Sequence, residues 1–159
     1  MRKSKSSLVF SLLELADSWA QSRSKGNTKV GAVVYHEASG STFLGYNGFP
    51  SGMPDREDWW SNPVRDGLGI CKHDLVIHAE ANAVRKAIAG LGTTDLRGCF
   101  MVSTMRPCAR CLAQEIGQSN IKVVHYLEES ADSLTARDWM VAKTVVQALN
   151  IMLLRIQLP

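Results

Sequence analysis

No run of apolar residues in this 159-residue chain approaches the roughly 20 needed to span a bilayer, so no membrane-embedded part is expected. Net charge is only +3, too mild to argue for nucleic acid as a partner. Internal repeats, long linkers and low-complexity tracts are absent. One domain over residues 1–159 is therefore expected, large enough for a real core. Cysteine is sparse, four in all, and two of the four share one C-x-x-C. That usage suits thiolates in a reducing compartment better than a disulfide framework and points to the cytoplasm. The basic start Met1-Arg2-Lys3-Ser4-Lys5, followed by Leu8-Val9-Phe10-Ser11-Leu12-Leu13, has some look of a secretory leader. Glu14 and Asp17 interrupt that run, and Leu8, Leu12, Leu15 and Trp19 recur at helical spacing, which favours an amphipathic first helix.

What the chain does carry is His78-Ala79-Glu80, then Pro107-Cys108-Ala109-Arg110-Cys111. One imidazole and two thiolates are the protein ligands of an open zinc site; structural sites are usually closed by four. If a helix begins at Pro107, Cys108 and Cys111 lie on the face of its first turn. The free N–H groups and positive dipole end there favour thiolate. Ala81 to Ile88 is rich in helix formers, so His78 and Glu80 are expected to open a second helix. H-x-E followed by P-C-x-x-C is the pattern already described for zinc deaminases of nucleobases, matched here rather than discovered. Its chemistry needs those residue types. Zinc lowers the pKa of water towards neutrality, and a carboxylate that is not a ligand moves the proton to the ring nitrogen beside the amino-bearing carbon. Glu80 is the expected shuttle, in a role generally worth about 10²–10⁴-fold. Taken alone, C-x-x-C also reads as a redox dithiol or half a zinc knuckle; neither accounts for His78 and Glu80.

The order of elements predicts an α/β fold. A helix over Ser7–Ser22 precedes strands Val30–Tyr35 and Thr42–Tyr46, joined as a hairpin at Ser39-Gly40. The His78–Leu91 helix stops near Gly90 and Gly92. Strand Cys99–Ser103 feeds the cysteine helix, which ends near Asn120. Strand Ile121–Tyr126, a helix over Ser133–Leu149 and strand Ile151–Ile156 complete the chain. Hairpin plus crossovers give a mixed five-stranded sheet in three α/β/α layers, with the site where strands hand over to helices.

Lys29-Val30-Gly31-Ala32-Val33-Val34, Gly45-Tyr46-Asn47-Gly48-Phe49-Pro50-Ser51-Gly52, His78 to Val84 and Pro107 to Cys111 together resemble the deoxycytidylate (dCMP) deaminases, in the family's order and over most of the chain. The zinc motifs are shared across the cytidine-deaminase superfamily; the glycine–proline segment is what points to the dCMP branch. Free-cytidine deaminases usually carry cysteine where His78 stands. The resemblance implies a cytidine-deaminase-like fold, one catalytic Zn2+ on His78, Cys108 and Cys111, and hydrolysis of dCMP to dUMP and ammonia, feeding thymidylate synthesis. It implies that Asn47 contacts the nucleotide sugar; Asn27, Thr28, Ala79 and Arg106 complete the substrate-binding candidates. It also implies a homo-oligomer, favourably a hexamer, with dCTP and dTTP as effectors (Mg2+ accompanying the triphosphate) at Gly45, Asn47, Gly48 and Gly52.

Other readings stand beside these. Asn47-Gly48 with Pro50 and Gly52 is a turn segment, and Asn27 and Thr28 read equally as strand-entry turn residues. Arg106 stands where relatives carry a small, apolar or acidic residue; it fits a substrate phosphate or a solvated loop. Met53–Leu75 is the least legible stretch. There Trp59-Trp60 suits a core anchor or a base-stacking pair, and Cys71 and His73 have the spacing of a second zinc site. Deaminases of a tRNA adenosine, guanine or a modified cytosine nucleotide remain alternatives, as does a non-catalytic zinc module closed by Cys71 or His73.

Overall fold

Valine-rich segments build the centre of the sheet, as β-branched side chains favour a pleated, buried surface. The computed structural model describes residues 5–61, 69–129 and 136–158. Its strands are β1 (Gly31–His36), β2 (Thr42–Tyr46), β3 (Cys99–Met105), β4 (Val123–Glu128) and β5 (Met152–Arg155). They lie in the order β2-β1-β3-β4-β5. β1 is antiparallel to β2 and β3, while β3, β4 and β5 run parallel. The mixed five-stranded sheet expected from the sequence is therefore present. Ala32, Val33 and Val34 are wholly buried on central β1, as expected for a strand covered on both faces.

Helix α1 (Lys5–Arg23) covers one face, packing Val9, Leu12, Leu13 and Ala16 against Val33 and Val102. The other face carries α4 (Ala79–Leu91), the cysteine helix and α5 (Ala136–Ala148), which share a larger core with Leu96, Met101, Leu112, Ile116 and Val124. Burying one such side chain fully is worth about 1.5–3 kcal/mol. Two glycines set how closely the layers approach. A Cβ at Gly31 would overlap the carbonyl oxygen of Ala16 in α1, and one at Gly45 the carbonyl oxygen of Ala79 in α4. Gly45 thus acts as a packing residue between β2 and the helix that carries Glu80.

One expectation needs correcting. The cysteine helix does not begin at Pro107: Pro107 and Cys108 precede it, the first helical residue is Ala109, and Cys111–Ile116 is wound as a π-helix. Its wider turn is closed by Gly117 N–H donating to Leu112 O, five residues back, at 2.9 Å. The cysteines therefore stand at the entrance to the helix rather than both within its first turn. The stretch Met53–Leu75 holds two short helices, α2 (Glu57–Ser61) and α3 (Lys72–Leu75); residues 62–68 between them lie outside those described, as does the expected helix start at Ser133. Gly48 and Ile77 exchange two backbone hydrogen bonds of 2.8 and 3.1 Å, tying the glycine–proline segment to the approach of α4.

Candidate active site

The segment before α4 ends in extended backbone at His78 (φ −67°, ψ 152°), the N-cap of the helix. That geometry turns the imidazole off the helix axis toward the end of β3, where parallel pairing with β4 delivers Cys108. His78 Nδ1 lies 3.6 Å from Cys108 Sγ and 3.4 Å from Cys111 Sγ, and the three donor atoms fall within 4.8 Å of one another. Zinc–sulfur and zinc–nitrogen bonds at a tetrahedral angle place those atoms about 3.6 Å apart. The donor set and its spacing thus fit a tetrahedral ion held by three protein ligands. Cys71 and His73 take no part in it, and among the described residues no second such group forms. Cys71 is buried, and its N–H donates to the Asp74 carboxylate at 3.0 Å. A site closed by either residue is not what the fold provides.

Thiol protons follow the same geometry. The hydrogen bond from Cys111 holds the Cys108 thiol well below the usual thiol range, with His78 adding to the effect. Cys111 is pushed up, since it shares its proton with Cys108 and is itself buried. His78 is raised, chiefly by its contact with Cys108. Glu80, in the first turn of α4, is only 4% exposed. Burial pushes its carboxyl up to about 7, against the opposing pull of His78 and its own backbone. A carboxyl that titrates near neutrality can both take and return a proton.

A cavity of about 370 Å3 opens over these groups. Asn27, Thr28, Asn47 and Ala79 all line it. Asn47 is more engaged than its sequence implied. Its Oδ1 accepts from Ser24 Oγ (2.8 Å) and Val30 N (2.9 Å), and its Nδ2 donates to Thr28 O (2.8 Å). Arg106 reaches the cavity wall but is neither a solvated loop residue nor an open phosphate ligand. Its side chain is fully buried, with Nε 2.7 Å from Glu129 and Nη2 3.2 Å from Asp138. Gly48 and Gly52 line a separate cavity of about 200 Å3 together with Arg23 and Lys25; Gly45 is absent from both linings, being packed on α4.

Sequence reasoning missed Lys72, Val76 and Met105, which complete the wall. Lys72 and Val76 belong to the stretch around α3, where no periodicity marked an element. Trp60 proves to be an anchor: it is 9% exposed and stacked on Phe49 at 4.2 Å, and its edge borders both cavities.

A sheet between helical layers, with an open His–Cys–Cys set at two helix entrances and a buried carboxyl beside it, defines a zinc-binding α/β domain. The profile of the cytidine and deoxycytidylate deaminase zinc-binding region matches residues 4–128, and the chain belongs to that family. A deoxycytidylate deaminase of Pongo abelii is 32% identical over 120 residues, 74% of this chain and 64% of the relative. A probable deoxycytidylate deaminase of Caenorhabditis elegans is 38% identical over 111 residues, 70% of this chain and 52% of the relative. The match thus spans between about half and two thirds of these relatives' lengths. A crystal structure of dCMP deaminase from the cyanophage S-TIM5, in complex with dCMP and dUMP, superposes with a TM-score of 0.70 at 26% identity, over 97% of this chain and 100% of the other. Among the described residues, no helix is long and apolar enough to cross a membrane.

Proposed function

We propose that this chain catalyses the hydrolytic deamination of dCMP to dUMP, with release of ammonia. The observation that carries the reading is Glu80, buried beside three donors whose spacing fits one zinc ion, in the wall of a nucleotide-sized cavity. His78, Cys108 and Cys111 would hold the ion, which when bound would supply activation of water at neutral pH. Glu80 takes a proton from the attacking water and hands it to N3 of the cytosine ring, so that C4 can accept the oxygen. The same carboxylate then takes the proton of the new C4 hydroxyl and passes it to the amino group, so that the C4–N bond breaks, ammonia leaves and the C4 carbonyl forms. Asn47, with Asn27 and Thr28, positions the sugar, and Ala79 lies against the base. Lys72, on the same cavity wall, supplies positive charge for the 5′-phosphate, with the His73 ring beside it. Likeness to the phage enzyme solved with dCMP and dUMP supports this choice of substrate.

Regulation belongs to the same reading. The smaller cavity joins Gly48 and Gly52 to the cations Arg23 and Lys25, which supports a triphosphate effector (dCTP or dTTP, with Mg2+) there. Exposed Trp139, Met140 and Val141 on α5 support a homo-oligomer, with a hexamer as the expected size. The thiolate-bearing site suits the cytoplasm, where dUMP would feed thymidylate synthesis.

The test is loss of ultraviolet absorbance on adding dCMP, deoxycytidine, dCTP or guanine to zinc-loaded protein, with Glu80→Gln as control. Rapid loss with dCMP alone, abolished in Glu80→Gln while zinc is retained, is the expected result. Turnover of guanine but not dCMP would replace the substrate assignment.

A further inference from the structure

Arg106 interrupts the sequence just where the zinc ligands begin, and its surroundings account for it. Its backbone N–H donates to Glu128 O at 2.7 Å, pinning the end of β3 to β4. The buried guanidinium meets Glu129 through Nε and Asp138 through Nη2, and donates to the Pro107 carbonyl through Nη1 at 3.2 Å. Trp139 stacks over it, 4.8 Å from guanidinium carbon to ring centroid. Glu129 is in turn held by Tyr126 Oη at 2.8 Å. A buried charge on this scale is tolerable only when paired, and here two carboxylates pair it.

Asp138 does more than balance charge. Its other oxygen accepts the Ala109 N–H at 3.1 Å. Ala109 is the first helical residue after Cys108, so its N–H has no partner within the helix. One carboxylate, carried in from α5, therefore bonds on both sides of Cys108: to the side chain of residue 106 and to the backbone of residue 109.

We propose that Arg106, Glu129 and Asp138 form a positioning clamp that holds the Arg106–Ala109 turn, and with it Cys108, in its metal-ready shape. Glu129 and Asp138 lie beyond the residues 4–128 that the family's profile matches; the two carboxylates of the clamp are contributed by the chain that follows. None of the three residues touches the metal donors, so each acts through the backbone of the turn. The inference rests on the reading that His78, Cys108 and Cys111 bind zinc.

The experiment uses the zinc-loaded full chain and its Asp138→Ala variant, and measures zinc affinity by competition with a chromogenic chelator, together with the thiolate charge-transfer bands of the cobalt-substituted protein. Loss of an outer partner at a metal site typically weakens affinity about 10–100-fold, and that range is expected here, with shifted cobalt bands. Val146→Ala, which loosens the packing of α5 on the core without touching the clamp, should lower stability and leave zinc affinity alone. Should Asp138→Ala not fold, Asp138→Asn decides: it keeps an acceptor for Ala109 but loses the charge facing Arg106, and a smaller loss of affinity is expected. Parental affinity and cobalt bands in a folded Asp138 variant would overturn the clamp, as would an equal loss in Val146→Ala. A parent chain that takes up no zinc would instead sink the metal reading itself.

Discussion

The Asn47 side chain donates to the Thr28 carbonyl at 2.8 Å while its oxygen accepts from the Val30 N–H at 2.9 Å. One amide therefore pins the loop that enters β1 to the loop that leaves β2. Both loops line the cavity that Ala79 and Glu80 of α4 also border, so the shape of the proposed sugar pocket depends on this one side chain.

Replacing Asn47 by alanine leaves Ser24 Oγ and Val30 N–H without this partner. An unsatisfied buried group costs about 1–3 kcal/mol, and urea denaturation should register a loss of that order. Asn47→Asp keeps the acceptor and removes the donor. Its turnover of dCMP is expected to fall further than its stability, and equal falls would reduce Asn47 to a purely structural residue.

Gly45→Ala drives a methyl group into the first turns of α4, against Ala79 O and Ala83 N. Overpacking of this kind costs about 1–3 kcal/mol. Because α4 carries His78 and Glu80 at its start, a lower Tm should come with weaker zinc binding. Thermal melting with and without added zinc checks both effects.

Glu80 links stability to pH in a direction opposite to most carboxylates. Its folded pKa is raised from 4.5 to about 7 by burial, so the folded state binds the extra proton and stability falls as pH rises through that window. In the zinc-free protein, Glu80→Gln should match the parent near pH 4 and exceed it above pH 7, by up to roughly 3 kcal/mol. Melts across that range test the point; a gap that does not vary with pH would locate the effect in packing instead of ionisation.

Lys72 lines the cavity from α3. If it meets the phosphate, Lys72→Ala removes a charge-assisted hydrogen bond, worth about 1.5–3 kcal/mol. That corresponds to a drop of about 10–100-fold in kcat/KM for dCMP, carried mainly by KM. Steady-state kinetics with dCMP should show the change, while the affinity for deoxycytidine, which has no phosphate, should be the same in parent and variant.

Chemistry that depends on covalent spacing was legible in the chain alone. His78 and Glu80 stand two apart, Cys108 and Cys111 three apart, and these intervals keep a carboxyl beside one candidate ligand and two thiols beside each other. Strand runs such as Val30–Tyr35 and Thr42–Tyr46, and the alternation of helices with strands, announced a mixed sheet, because hydrophobic periodicity is a local property. Around Met53–Leu75 that property fails: α2 and α3 are too short to establish a period, so Lys72 gave no sign of facing the cavity, and Trp60 could be read as an anchor or a stacking residue alike.

Tertiary structure alone decided the partners. Nothing near Arg106 in sequence foretells Asp138, which arrives from α5 only after β4 has been laid beside β3. Gly45 looked like part of a binding segment, yet its lack of a side chain serves the approach of α4. Asn47 carried a motif, but its bonds to Ser24, Thr28 and Val30 exist because β1 and β2 pair. The sequence determined which atoms could do the chemistry, since donor type and spacing are written along the chain. Which of them are held, buried or left open was decided by packing, since those properties belong to neighbours brought together from distant positions.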